Sequence, residues 1–253
     1  MEGINEICRI ERPKRVVMEQ TIKDGDIDIS PKDHPVSHQF SPYTDNGGTV
    51  VAIAGKNYAI IASETRLSSG YSIYTRHQSK LFQLTAKTVL GSTGCWCDAL
   101  TFAKVIETRV KNYLYEHNRP MSTPACAQLM SIMLYYKRFF PYYISNIVAG
   151  LDEEGRGVVY SYDPVGHFEQ HAYRAGGSSC SLIQPFLDNR VGGKNMVGVT
   201  PGTIELSLED ALRMVKDVFV SAGERDIYVG DFVDIRVITA DGIQQLNYKL
   251  RRD

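Results

Sequence analysis

Two imidazoles and a carboxylate fall on one face of an extended chain in His167-Phe168-Glu169-Gln170-His171, since side chains at i, i+2 and i+4 align along a strand. That set could hold zinc. Solvent-facing positions of a half-buried strand produce the same alternation, and that is the reading adopted. Cys95-Trp96-Cys97 could be half of a metal or redox site, but neither a second Cys pair nor a spaced His pair accompanies it, so these read as buried thiols beside a turn. Asp24-Gly25-Asp26-Ile27-Asp28 starts like a calcium loop but has Ile29 where glycine is needed and Pro35 where glutamate is needed. No G-x-S-x-G elbow, dinucleotide fingerprint or phosphate loop is present. What remains is a constellation spread over the chain: Gly47-Gly48-Thr49, Glu64-Thr65-Arg66, Lys80, Gly94, Gly176-Gly177-Ser178, and Glu224-Arg225-Asp226 with Gly230.

These residues must be positioned by a chain of 253 residues, long enough for one large domain that buries roughly 70–75% of its unfolded surface. Lys plus Arg (28) nearly balance Asp plus Glu (29), which removes any general attraction to a nucleic-acid backbone or an anionic membrane. Recognition is expected to be local and shape-based. Cys8, Cys95, Cys97, Cys126 and Cys180 form an odd, irregular set behind an N-terminus without an apolar signal core, which points to a reducing intracellular compartment.

Residues 1–40 mix Pro13, Pro31, Pro35 and many charges without a sustained apolar period, and read as a weakly ordered leader or pro-segment ahead of a domain over 41–253. Thr49 to Ala54 and Tyr58 to Ala62 read as a hairpin around Gly55-Lys56-Asn57; Leu81 to Leu84 and Thr88 to Gly91 repeat the form, giving four strands of one antiparallel sheet. Asp98 to about Asn118 has helical spacing with Asp98 as its cap, and a second helix runs from Ser122-Thr123-Pro124 to about Phe139. Strands follow at Tyr142 to Gly150, Gly157 to Tyr162 and Phe168 to Tyr173. Ser178 to Asn189 looks helical, with Pro185 either within the first two turns or kinking it. Ser207 caps a last helix to about Gly223, and a hairpin turns at Asp241-Gly242. Strands, two helices, strands, two helices and strands imply an α+β class of two sheets with helices outside.

The constellation resembles the beta-type subunits of the 20S proteasome, from about Phe40 to the C-terminus. Specific strings carry the resemblance: Lys80-Leu81-Phe82-Gln83-Leu84, Arg138-Phe139-Phe140-Pro141-Tyr142-Tyr143, Gly150-Leu151-Asp152-Glu153-Glu154-Gly155 and Tyr162-Asp163-Pro164-Val165-Gly166. With Gln184-Pro185-Phe186-Leu187-Asp188-Asn189 they are similar to the eukaryotic member at the sixth position of the beta ring, a non-catalytic one. Active members of the family expose an N-terminal threonine by self-cleavage after a glycine. A lysine held by an acidic residue lowers the cost of deprotonating it, a glycine N–H stabilises the oxyanion, and a distal Ser-Asp-Ser group supports the amine.

Matched residue by residue, the resemblance implies Glu64 at the acidic position, Lys80 at the lysine, Gly94 at the oxyanion glycine and Asp226 at the distal aspartate. Gly47 stands at the nucleophile, and Gly177 and Val229 at the two serines, so the set implies no catalytic residue, cofactor or metal. The expectation is a four-layer αββα sandwich of the N-terminal-nucleophile hydrolase type, acting as a structural subunit that completes the beta ring and its proteolytic chamber. Its partners would be neighbouring beta subunits, alpha-ring subunits and the opposite beta ring, in cytoplasm and nucleus, with leader cleavage near His38 to Phe40. Two alternatives stand beside it: an active threonine endopeptidase using Thr49 after cleavage at Gly48, and a free-standing hydrolase of the same fold. Against the first, Thr49 counted along a strand lies two residues beyond Gly47, which moves its hydroxyl roughly 6–7 Å from the position a base would serve.

Overall fold

A computed structural model describes residues 41–252 apart from 201 and 203. The readings made on residues 1–40, namely the leader, the rejected calcium loop and the cleavage site, lie outside the described residues.

Two five-stranded antiparallel sheets form the middle of the molecule. The first has the order β10-β1-β2-β11-β12, from β1 (Thr49–Ala54), β2 (Ala59–Glu64), β10 (Tyr173–Gly177), β11 (Phe232–Thr239) and β12 (Gly242–Lys249). The second runs β5-β6-β7-β8-β9, from β5 (Leu81–Thr85), β6 (Thr88–Gly94), β7 (Ile144–Leu151), β8 (Gly157–Tyr162) and β9 (Phe168–His171). Side-chain alternation sorts these strands into three cores. Val50, Ala52, Ile61, Val89, Ile147 and Val159 fill the space between the sheets. Val51, Ile53, Ile60, Ile235 and Val237 point outward against α3 (Cys180–Arg190) and α4 (Leu208–Gly223). Leu90, Val148, Val158 and Tyr160 point outward against α1 (Trp96–His117) and α2 (Thr123–Tyr136). Helix, sheet, sheet, helix is the four-layer αββα arrangement.

Several local expectations are corrected. The four strands expected in one sheet divide between two, because β2 takes β11 as its second neighbour and the chain then crosses through β3 (Leu67–Ser69) and β4 (Ser72–Thr75) before β5. That ribbon turns at Gly70 with φ +54° and is too short to leave a periodic signal. The single strand expected over Phe168 to Tyr173 breaks at Ala172, with β9 in the second sheet and β10 in the first. Helix α1 starts at Trp96, and Asp98 does not cap it: its Oδ2 accepts the Tyr143 N–H at 2.9 Å, while Trp96 N–H donates to Asn46 Oδ1 at 3.0 Å. Helix α2 ends at Tyr136, three residues early, and its start at Ser122 has no side-chain cap. Pro185 falls in the second turn of α3. Ser207 caps α4 as expected, its hydroxyl accepting the Asp210 N–H at 3.2 Å. No described helix is long and apolar enough to cross a membrane.

Candidate functional site

The end of β2, the start of β5 and the segment before β1 meet where the first sheet opens. Glu64 is the last residue of β2 and Lys80 immediately precedes β5, so the fold brings carboxylate and ammonium together with 0% and 1% of their side chains exposed. Lys80 Nζ lies 2.8 Å from Glu64 Oε1 and donates to the carbonyls of Glu64 (3.1 Å) and Arg66 (2.6 Å). Glu64 Oε2 accepts the Thr49 N–H at 2.9 Å. Burial pushes the Glu64 carboxyl above the usual carboxylate range, opposed by the Lys80 charge and these donors. The lysine therefore sits among three oxygens of β2 and its exit.

Gly47 and Gly48 precede this pair with φ of +62° and +95°, so the regular strand begins only at Thr49. Spacing along an extended strand consequently does not describe the step from Gly47 to Thr49, and the offset expected for the Thr49 hydroxyl has no basis in that form. Its position is fixed by other contacts: Thr49 is fully buried, its Oγ1 accepts the Ser179 N–H at 3.1 Å, and it shares a 3.3 Å bond with the Ser178 hydroxyl. A side chain at Gly48 would meet Lys80 Cε at 2.7 Å, and one at Gly47 would meet the Tyr228 ring at 2.3 Å. The nucleophile position expected at Gly47 is thereby corrected to Gly48: only a side chain at Gly48 would face Lys80 and, at 3.1 Å, Glu64 Oε1, while the space beside Gly47 is filled by the Tyr228 ring.

Gly94 closes β6 with φ +102°, where a Cβ would press on the Tyr143 carbonyl at 2.7 Å. Its N–H donates to the Gly47 carbonyl at 3.0 Å, and its carbonyl accepts the Asn46 N–H at 3.1 Å. Asp226 follows α4; its Oδ2 accepts the Ser179 hydroxyl at 2.5 Å and its Oδ1 the Tyr228 N–H at 2.9 Å. Gly177 pairs with Thr49 at the end of β10, and a Cβ there would meet the Gly48 carbonyl at 1.9 Å. Val229 is buried in the core under α4, apart from any polar partner role. Gly230 leaves room for the Arg66 guanidinium, which is paired with Asp231 at 2.8 Å; Arg76 holds the other Asp231 oxygen at 2.7 Å.

Sequence reasoning missed Ser179, Tyr228 and Asn46, and named Ser178 without a role. Ser179 serves as the hydroxyl partner of Asp226 two residues past the expected position, Ser178 reaches Thr49, Tyr228 covers Gly47, and Asn46 joins the strand start to α1. The doubled serine after Gly176-Gly177 was a usable signal; nothing local marks Asn46 or Tyr228. The cleft beside these residues is a cavity of about 320 Å³ lined by Asp45, Gly47, Thr93, Gly94, Tyr143, Ser145, Pro164 and Ser178 among others. Among the described residues no lysine or histidine lines it.

The other candidates do not line this cleft. His167 Nε2 lies 3.4 Å from Glu169, and His171 shares a 2.9 Å bond with Ser161; burial, then the charge of Arg174, lowers the His171 pKa. Cys95 is buried and Cys97 exposed, so the pair does not converge and only one thiol matches the buried reading. Among the described residues no group of three His, Cys, Asp or Glu side chains is placed to hold a metal.

Comparison with known proteins bears on the same region. Residues 44–238 match the family model described as Proteasome subunit. The chain is 54% identical over 220 residues to Proteasome subunit beta type-1 of Drosophila melanogaster, covering 87% of this chain and 92% of that one. It is 45% identical over 236 residues to Proteasome subunit beta type-1 of Dictyostelium discoideum (92% and 100%), and 44% identical over 226 residues to Proteasome subunit beta type-6 of Saccharomyces cerevisiae (87% and 94%). A four-layer sandwich, a family match across most of its length and relatives at this identity together establish that the chain belongs to the proteasome subunit family, among its beta-type subunits.

Proposed function

We propose that this chain is a non-catalytic structural subunit of the 20S core, completing the beta ring and shaping the chamber in which neighbouring subunits cut peptides. One observation carries the reading: the position that faces Lys80 and Glu64 is Gly48, which carries no hydroxyl, and the Gly94 N–H is already taken by the Gly47 carbonyl. Lys80 is held by Glu64 and two carbonyls, the Gly94 N–H donates to Gly47, and the Thr49 hydroxyl is buried against Ser178 and Ser179. A buried Lys–Glu pair persists without catalysis because removing one partner strands the other charge. The partners of this role are adjacent beta subunits, an alpha-ring subunit and the opposite beta ring, and its sites of action are cytoplasm and nucleus.

Intact mass of the chain taken from assembled particles tests the reading. A short extension ahead of Gly47 is expected. A mature N-terminus at Thr49 would overturn it, and so would a stable, peptide-cleaving monomer near 28.3 kDa on gel filtration.

A further inference from the structure

The segment Asp45–Gly47 lies in the cleft and makes the contacts that a bound peptide backbone would need. Gly94 offers two backbone groups there, and both are taken: its N–H by the Gly47 carbonyl at 3.0 Å, its carbonyl by the Asn46 N–H at 3.1 Å. The Gly47 N–H turns back to Asp45 Oδ1 at 2.8 Å, so neither amide is left facing the cavity. Asn46 is 8% exposed and reaches in two directions. Its Oδ1 accepts the Trp96 N–H at 3.0 Å, satisfying an orphan donor of the first turn of α1, and its Nδ2 donates to the Ser68 carbonyl of β3 at 3.1 Å. One side chain thus ties the strand start, the β3–β4 ribbon and the helix behind Gly94 together. The Cys95 N–H, next in line, donates to Tyr143 O at 2.9 Å, so the backbone on the far side of Gly94 is held as well.

We propose that Asp45–Gly47 is a tethered peptide occupying the oxyanion donor of this cleft, and that Asn46 is the positioning residue that latches it there. The Gly47 carbonyl takes the place of an acyl oxygen, so no carbonyl of a passing chain can be polarised or retained at Gly94. The inference rests on reading the cleft as a degenerate peptide-cleaving site. It is independent of which neighbours the subunit has.

Hydrogen exchange read by mass spectrometry on the full chain in isolated particles, with fragmentation that resolves Gly94 and Trp96, tests it. Both amides are expected to be protected in the parent chain. Asn46→Ala should speed their exchange about tenfold or more while β7, Ile144–Leu151, stays unchanged, since a local latch opens locally. Asn46→Asp keeps an acceptor for Trp96 and should restore protection there. The proposal is overturned if Gly94 exchanges like an open loop in the parent chain, or if Asn46→Ala leaves it within about twofold. Equal acceleration across β1 and β7 would also overturn it, as general loosening rather than a latch. If Asn46→Ala fails to accumulate, the parent chain and Asn46→Asp still decide. The intact mass of the same samples separates this from failure of the structural reading: a chain beginning at Thr49 has lost the segment altogether.

Discussion

Replacing Gly47, where the resemblance puts the nucleophile, by threonine is expected to restore nothing, because a side chain there faces Tyr228 whereas one at Gly48 would face Lys80 and Glu64. The new Cβ would lie 2.3 Å from Tyr228 Cδ1 and 2.4 Å from Cγ, closer than any real contact, on a backbone with φ +62°. Overpacking of this kind costs about 1–3 kcal/mol and a β-branched residue at positive φ about as much again, together about 2–6 kcal/mol. For a domain of this size that lowers the melting temperature by about 5–20 °C. Chemistry fares no better, because the Asn46–Gly47 peptide bond leaves no free amine, a side chain at Gly47 faces Tyr228 and not Lys80, and the Gly94 N–H is occupied. A missing oxyanion donor removes about 10²–10³ in rate and a missing base about 10²–10⁴, so activity should fall about four to seven orders of magnitude short of a working site. Intact mass of the Gly47→Thr chain from assembled particles is the primary assay, with the temperature of protease sensitivity as the second. A chain whose N-terminus is the substituted residue itself, or one whose thermal stability is unchanged, would refute the reasoning.

Gly177→Ser should be no kinder, since its Cβ would meet the Gly48 carbonyl at 1.9 Å at φ +91°; a loss of about 2–6 kcal/mol is expected in thermal protease-sensitivity measurements, and wild-type stability would contradict it. Lys80→Met leaves Glu64 buried without its cation and should cost about 3–5 kcal/mol, whereas Lys80→Met with Glu64→Gln should cost clearly less in the same assay. Burial raises the Cys126 thiol to about 12, so it stays protonated in the folded chain while an unfolded thiol ionises from about 9. Its iodoacetamide labelling should stay flat from about pH 8 to 10 and appear only on denaturation, while exposed Cys97 labels in the free chain; early labelling of Cys126 would refute its enclosure. The folded state holds the extra proton between those two values, so this thiol's contribution to stability falls as pH rises through that window.

Local chemistry in the sequence carried much of the fold. Short β-branched and apolar runs bounded by turn residues placed β1, β8 and the β11–β12 hairpin, and the Ser207 hydroxyl marked the start of α4 because its partner is only three residues away. Readings failed where the deciding contact is distant. The α1 cap comes from Asn46, fifty positions upstream, so a nearby Asp98 looked like the natural cap until Tyr143 claimed it. The break at Ala172 is invisible to periodicity because both halves are extended; only their different neighbours separate β9 from β10. At the site, Glu64, Lys80, Gly94 and Asp226 were picked out by the resemblance, and the structure gathers them around the strand start. Ser179 was not, because a hydroxyl two residues along reaches Asp226 only through the turn into α3.

The two sheets differ in how they can be assembled as the chain is made. The second sheet takes its strands in unbroken sequence order from β5 to β9, so all its strands are present once His171 has been synthesised. The first needs β10 beside β1 and β11 beside β2, a pairing between Glu64 and Val233 across most of the domain, and stays open until the last strands emerge. Loop closure over such distances is slow, and an unpaired β2 edge is a template for wrong partners. Chains cut short before Phe232 are therefore expected to carry a finished half beside an adhesive edge, which places the final hairpin in control of whether a nascent subunit stays soluble.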